Sequence, residues 1–139
     1  MFISVLEGHT QVTQAKAKVV IMKTNRAIGV AHRTVMTTKK FTGKLAQSVR
    51  HARFAKKMYE KADFDKSAQH SLYARKLAAE VMKENNAKTG SDYLFSTDEN
   101  AILGTSPSNE DLVTEAKNDD PISINDENLK AGSLNIDVK

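Results

Sequence analysis

The chain has 139 residues, which is room for one domain, and it contains no cysteine. Disulfide frameworks, thiolate metal sites and cysteine nucleophiles are therefore excluded. The net charge of +4 is divided unevenly: residues 1–90 hold 18 Lys and Arg against 6 Asp and Glu, and residues 91–139 hold 3 against 11. Net charges of +12 and −8 on the two parts indicate an electrostatic partner or an interaction tail.

The apolar runs of the chain are short. The longest covers residues 19–22 and is bracketed by Lys18 and Lys23, whereas a membrane-spanning helix needs about 20 apolar residues. The N-terminus has no basic region, and its apolar run is too short for a signal peptide. We therefore expect a soluble protein of a reducing, cytoplasmic compartment or of a virus particle, neither secreted nor membrane-spanning.

The first predicted element lies between Gln11 and Thr38. Apolar residues recur there at steps close to those of one helix face: Val12, Ala15, Val19, Met22, Ala27, Val30 and Val35. Asn25 or Gly29 is a candidate kink, so the pattern allows one helix or two. Residues 37–43 follow as a connection.

The clearest helical pattern covers residues 44–84. Steps of three and four separate the apolar positions of two stretches, which meet at a joint over residues 62–65. Asp63 or Asp65 is the predicted N-cap of the second stretch. The pattern predicts an antiparallel helical hairpin. Its predicted core includes Leu45, Val49, Leu72 and Leu77.

A basic stripe accompanies the first helix of this hairpin. We call its predicted partner-binding residues the basic face: Lys39, Lys40, Lys44, Arg50, Arg53, Lys56, Lys57 and Lys61. Between Gly8 and Tyr59 there are 12 Lys and Arg and no Asp or Glu, whereas a neutral solvated surface mixes both signs. Because unrelieved self-repulsion destabilises a compact fold, this pattern favours an anionic partner. The chain's own tail, nucleic acid and an acidic neighbouring protein all fit.

After Gly90 the composition becomes polar and acidic, and both prolines appear. A segment of this kind does not bury enough apolar surface to order itself. We therefore divide the chain into a basic helical domain, residues 1–90, and an acidic tail, residues 91–139, that is flexible or ordered by a partner. Short apolar groups in the tail are predicted to dock in grooves of another chain. These predicted tail anchors are Tyr93, Leu94, Phe95, Ile102, Leu103, Leu112, Val113, Ile122, Ile124, Leu134 and Ile136.

Motifs for catalysis and cofactor binding are missing from the sequence. The four histidines lie on different segments without ligand spacing, and we expect them to be surface or half-buried residues. Neither a GxSxG nucleophile motif nor a glycine-rich phosphate loop occurs. We therefore predict no catalytic residue, no metal, no cofactor and no small-molecule substrate.

One pair of residues suggests an enzyme. Arg26 is followed after five residues by His32, and this spacing resembles the motif of HEPN-type ribonucleases, which are small helical bundles. The resemblance implies ribonuclease chemistry at these two residues. The sequence departs from the family pattern, because Ala27 stands where that pattern has a polar residue and the pair lies early in the chain.

These observations predict an all-α fold: a small bundle of three or four helices with the hairpin at about 44–84 and an extended, largely irregular acidic tail. The first functional hypothesis is a non-catalytic structural subunit of a large multiprotein assembly or virus particle. It would dock through the basic face and through the tail anchors onto protein partners, with no membrane involved. The second hypothesis is a nucleic-acid-binding protein with an autoinhibitory acidic tail. A helical-bundle ribonuclease ranks third.

Overall fold

Three long helices form the body of the molecule. The structure, a computed structural model, describes residues 11–120 and 124–139. Helix α1 covers Gln14–Thr38, α2 covers Lys44–Glu60 and α3 covers Phe64–Glu84, and each packs against the other two. Within the described ranges there is no β-strand, so the predicted all-α class is confirmed.

Helix α1 is a single helix of 25 residues that begins at the N-cap Thr13, whose side chain accepts a hydrogen bond from the Lys16 N–H. The predicted apolar face is wrong in its first half. Val19 is 64% exposed and Met22 is 46% exposed, whereas Val20 and Ile21 are buried. The reason is that residues 19–22 are all apolar, so spacing alone does not determine which of them face the core.

The predicted hairpin is confirmed as α2 and α3. Asp63 is the N-cap of α3, and its side chain accepts a hydrogen bond from the Lys66 N–H. Two buried serines tie the helices together: Ser48 donates to the Ala74 carbonyl at 2.7 Å and Ser67 donates to the Ala55 carbonyl at 2.8 Å. All four predicted core residues are buried: Leu45, Val49, Leu72 and Leu77.

The acidic tail contains more regular structure than its composition predicts. Helix α4 covers Thr97–Gly104 and α5 covers Asn109–Asp119, and three short 3₁₀ helices cover Ser91–Tyr93, Asp126–Asn128 and Ala131–Ser133. Ser96 and Glu99 form a capping box at the start of α4. Apolar residues of the tail belong to all three apolar clusters of the molecule, so the tail packs against the body of the same chain.

Candidate interaction surface

The basic face divides into two parts with different partners. At the start of α2, Lys44 forms ion pairs with Glu84 at 2.8 Å and Glu80 at 3.2 Å, and Lys40 donates to the Glu84 carbonyl oxygen. The hydrogen bond from Lys44 lowers the pKa of Glu84, and the hydrogen bond to Glu84 raises the pKa of Lys44. This end of the basic face is therefore neutralised by the end of α3. Lys39 and Lys61 are exposed.

Further along α2, the cations of the basic face hold the tail. Arg53 donates from Nε to the Leu134 carbonyl at 2.7 Å, and Lys56 donates to Oδ1 of Asn135 at 2.7 Å. Lys57 forms an ion pair with Asp119 at 2.9 Å, and this hydrogen bond raises the pKa of the lysine. The sequence-predicted basic stripe is thus covered in part by oxygen atoms of the chain's own tail.

A cleft of about 310 Å³ remains between α2 and the tail. Arg50 and Glu60 line it from α2 together with Arg53, Lys56 and Lys57, and Phe54 contributes an apolar wall. Asp119, Asp120 and Asn135 line the opposite side. The cleft therefore places four cationic side chains of one helix opposite carboxylates of the tail.

The last eleven residues, 129–139, form what we call the C-terminal arm. Its buried apolar residues alternate with exposed polar ones: Leu134 and Ile136 are buried, whereas Asn135 and Asp137 are exposed. The backbone bends here, because Ala131–Ser133 forms a 3₁₀ helix, Leu134 has right-handed helical angles and Asn135 has a φ of 59° in the left-handed region. On α1, Asn25 donates from Nδ2 to the Ile136 carbonyl at 2.9 Å. The arm is therefore hydrogen-bonded to both α1 and α2.

The structure places the predicted tail anchors on the body of the same chain. In three neighbouring groups one member is buried and its neighbour is more exposed: Tyr93 with Leu94, Ile102 with Leu103, and Leu112 with Val113. Phe95 and Ile124 are half-buried, and Ile122 lies outside the described residues. In this arrangement the chain's own core includes Tyr93, Ile102, Leu112, Leu134 and Ile136.

Asp126 of the tail caps helix α2 through contacts with residues 80 and 83 positions earlier in the sequence. Its carboxylate accepts hydrogen bonds from the backbone N–H groups of Gly43 and Ala46, both at 2.8 Å. Gly43, the N-cap position, has no side chain to serve this role, and the carboxylate also interacts favourably with the helix dipole. Sequence reasoning missed this contact. The only sequence signal for it is a helix that begins at glycine with no acidic residue in its first turn.

A buried ion pair joins the tail to the centre of the bundle. Arg75 of α3 has no exposed surface and makes a bidentate pair with Glu99 of α4 at 2.8 and 2.9 Å. The guanidinium also donates to Thr24 and to the carbonyls of Val20 and Leu94. Burial opposes ionisation of Glu99, but the hydrogen bonds from Arg75 and the Ser96 N–H, together with the charges of Arg75 and Lys23, lower the pKa of the carboxyl.

The buried position of Arg75 was not predicted, although its spacing in the sequence indicates it. It lies three residues after the inward-facing Leu72 and three before the inward-facing Ala78, so helical spacing puts it on the core face. A charge at such a position requires a partner of opposite sign. Glu99 follows the helix-start residue Ser96 by three, a spacing typical of a capping box.

The expectation of surface or half-buried histidines is wrong for His32, His51 and His70, which are all buried, and His9 lies outside the described residues. Nδ1 of His51 lies 2.9 Å from Nδ1 of His70, and Nε2 of His70 lies 2.8 Å from Glu115 of α5. Burial and the neighbouring His70 lower the pKa of His51 to about 3, and burial also lowers the pKa of His70.

This arrangement determines which atoms carry protons in the neutral pair. His70 donates from Nε2 to the Glu115 carboxylate, and its Nδ1 accepts from Nδ1–H of His51. Lys66 contacts the same carboxylate at 2.7 Å. Burial opposes ionisation of Glu115, but the hydrogen bonds from Lys66 and His70 lower the pKa of the carboxyl. The chain of contacts fixes α5 to α3 and α2.

The residues of the ribonuclease-like pair do not form one site. Arg26 is exposed and pairs with Asp92 at 3.3 Å, whereas His32 is buried and its Nε2 lies 2.8 Å from the Leu129 carbonyl. In residues 11–120 and 124–139 no group of three or more acidic or histidine side chains is arranged to hold a metal ion. Across the same residues no helix has the length and apolar character needed to cross a membrane.

No family model, curated protein or solved structure matches this chain.

Proposed function

We propose that the chain is a non-catalytic assembly subunit whose partner-binding surface is the basic face of α2, and that its acidic tail occupies this surface in the free chain. The observation that supports the proposal is the set of contacts from Arg53, Lys56 and Lys57 to the tail. Three consecutive cations of the face already hold a polypeptide, so the face is suited to binding one.

The chemistry of these contacts indicates how a partner would displace the tail. Arg53 and Lys56 hold neutral oxygens, a carbonyl and a side-chain amide, and only Lys57 holds a carboxylate. Arg53 and Lys56 are ionised donors, and a carboxylate acceptor adds a Coulomb attraction that these neutral oxygens do not offer. A partner that offers carboxylates at all three positions therefore competes favourably for the face.

An acidic protein surface fits the basic face better than a nucleic acid does. Single-stranded nucleic acids are held by basic grooves combined with exposed aromatic rings on which bases stack. Along α2, the aromatic residues beside the face, Phe54 and Tyr59, are only 5% and 8% exposed. Phe41 is 38% exposed, but it lies beside Lys40 and Lys44, whose charges already contact the end of α3. Beside Arg53, Lys56 and Lys57 a nucleic acid is therefore left with phosphate contacts, which are sequence-independent and sensitive to salt.

The cleft beside Arg50 keeps nucleic-acid binding as the second candidate function. Four cations of one helix line about 310 Å³ of open space, which is a suitable arrangement for a phosphate group. In this alternative the carboxylates of Asp119 and Asp120 stand where phosphates would bind, and the tail is an autoinhibitor.

The test compares two full-length variants with the same change in charge. One carries Gln in place of Arg50, Arg53, Lys57 and Lys61, and the matched control carries Gln in place of Lys18, Lys76, Lys83 and Lys88. Binding of poly-glutamate and of duplex DNA is measured at low salt by fluorescence anisotropy, with thermal unfolding recorded for both variants. We expect poly-glutamate binding to fall sharply in the α2 variant and little in the control.

Equal losses in the two variants would contradict the proposal, because they would show that net charge alone binds the acidic polymer. DNA binding that exceeds poly-glutamate binding, is lost only in the α2 variant and declines steeply with salt would decide for the second candidate.

A further inference from the structure

The groove that receives the C-terminal arm holds a short, bent segment by features that do not depend on chain connectivity. Arg53 of α2 donates a hydrogen bond to the Leu134 carbonyl, and Asn25 of α1 donates one to the Ile136 carbonyl. Arg53 also reaches the Ser133 carbonyl at 3.4 Å. Hydrogen bonds to main-chain carbonyls are open to any segment that adopts this backbone, and the two buried apolar side chains select among such segments.

The arm supplies the side chains that this groove requires. Leu134 and Ile136 are 8% and 5% exposed and join the main apolar cluster of α1, α2 and α3. Between them, Asn135 places its side-chain oxygen 2.7 Å from Nζ of Lys56. The groove is thus complementary to apolar residues at every second position with oxygen acceptors between them.

We propose that the arm exchanges between copies, so that the arm of one chain occupies this groove on a second copy of the same chain. This inference deepens the proposed assembly function by naming one partner, and it rests on that function only for its biological use. An arm displaced from its own groove by an acidic partner exposes Leu134 and Ile136. The groove of a neighbouring copy is complementary to both of these side chains.

The energetics of exchange are close to balanced. Every contact of the arm is the same whether the arm comes from its own chain or from another, as in domain swapping, which is a low-cost route to association. The difference lies in effective concentration, which is on the order of millimolar for a short connection within one chain. Exchange therefore requires copies at about that concentration or held close together in an assembly.

The absence of cysteine allows a direct experiment with the full-length chain. Two single-cysteine variants, Lys56→Cys and Asn135→Cys, are mixed near 1 mM, on the order of the intramolecular effective concentration, and treated with a short bis-maleimide. A mixture of Asn135→Cys with Lys88→Cys measures random collision, because Lys88 is exposed beyond the end of α3. A chain carrying both Lys56→Cys and Asn135→Cys reports the arm in its own groove.

We expect the doubly substituted chain to cross-link within itself, and the Lys56→Cys mixture to yield several-fold more cross-linked dimer than the Lys88→Cys mixture. Adding Leu134→Ser and Ile136→Ser to the Asn135→Cys chain is expected to remove that excess.

Two results would overturn the proposal. The first is a cross-link within the doubly substituted chain with no excess dimer over the Lys88→Cys control, which shows that the arm stays in its own groove. The second is no internal cross-link at all, which shows that the arm is not in the groove. Neither result involves poly-glutamate, so failure of exchange is distinguished from failure of the proposed function.

Discussion

The body, residues 14–84, and the tail, residues 91–139, are held in place by different interactions. The body is ordered by apolar helix faces that bury one another, with few charges inside. The tail adds long-range polar contacts with the body to its buried apolar side chains: Glu99 with Arg75, Asp126 with the start of α2, and Glu115 with His70. Tail order therefore depends on the body, whereas the helical hairpin carries its own core.

This difference explains how an acidic, apolar-poor segment becomes ordered. Its composition shows that it cannot bury enough apolar surface by itself. A covalently attached basic body, however, is present at a high effective concentration, so the tail pays for the conformational entropy of its own ordering but not for association with a separate molecule. The opposite charges of the two parts then attract, and the isolated apolar residues of the tail complete the core of the body.

The largest expected effect comes from breaking the ion pair between tail and body. Glu99→Ala leaves the guanidinium of Arg75 charged and fully buried, and removing one partner of a buried pair costs about 3–5 kcal/mol of unfolding free energy. Urea unfolding measures the loss. The control Asp98→Ala removes an exposed carboxylate that pairs with Lys16 at 3.4 Å, and it is expected to cost less than about 1 kcal/mol. Similar values for both variants would show that Glu99 is not buried against Arg75.

Leucines in the two regions provide the next comparison. Leu72 of the body has no exposed surface and Leu112 of the tail is 2% exposed, so Leu→Ala at each is expected to cost roughly 2–5 kcal/mol. Val113→Ala, at a position 41% exposed on the same tail helix, is expected to be nearly neutral. A neutral result at Leu112 together with a large one at Leu72 would mean that the tail does not share the core.

Acid is expected to lower the unfolding free energy of the chain through the buried pair His51 and His70. Both buried histidines have lowered pKa values in the folded chain, His51 at about 3, and the ordinary value in the unfolded chain is about 6.5. The unfolded state therefore binds more protons, and stability present above pH 6.5 is lost as the pH falls. Between pH 6.5 and 4.5 the loss for His51 is about 1.4 kcal/mol per pH unit, measured by urea unfolding.

The groups around the histidine pair include both signs of charge: Glu115, Lys66 and Arg50 lie near it, and the Tyr73 ring contacts His51. His51→Asn removes one titrating group and is expected to flatten this dependence. An equal slope in the variant would show that His51 is not buried in its neutral form.

A smaller effect is expected for the cap that the tail provides to α2. Asp126→Ala removes the acceptor for two backbone N–H groups, at an expected cost of about 1–2 kcal/mol. Glu127→Ala, at the exposed next position, is the matched control and is expected to be neutral. Thermal unfolding distinguishes the two variants, and equal midpoints for both would contradict the capping contact.

Sequence patterns predicted the elements that depend on contacts between residues close together in the chain. The hairpin, its joint and the cap at Asp63 follow from helical spacing and from residues a few positions apart. The contacts of Asp126, Glu99 and Glu115 join residues 24 to 83 positions apart, and no local spacing encodes them. The basic face was visible as a charge pattern, but the groups that neutralise it were visible only as a net charge of opposite sign on the tail.

The first half of α1 shows a second reason why helical spacing alone does not predict which residues are buried. Because residues 19–22 are all apolar, the spacing is compatible with more than one choice of the buried helix face. The contact of α1 with α3 buries the face that carries Thr24, which donates to the Ser71 carbonyl and accepts from Arg75. Val19 and Met22 therefore point outward, although their spacing is that of a core face.

The central claim is that the acidic tail lies on the basic face of α2 in the free chain. A nitroxide spin label at Asn135→Cys, the only cysteine, tests it through the broadening of backbone amide NMR signals at low protein concentration. We expect strong broadening at Arg53, Lys56 and Lys57 and none at Lys83 or Lys88. Because Leu134 and Ile136 are buried, the broadening is expected to persist in 1 M salt, where charges are screened beyond about 3 Å. Weak, uniform broadening that disappears in salt would contradict the account.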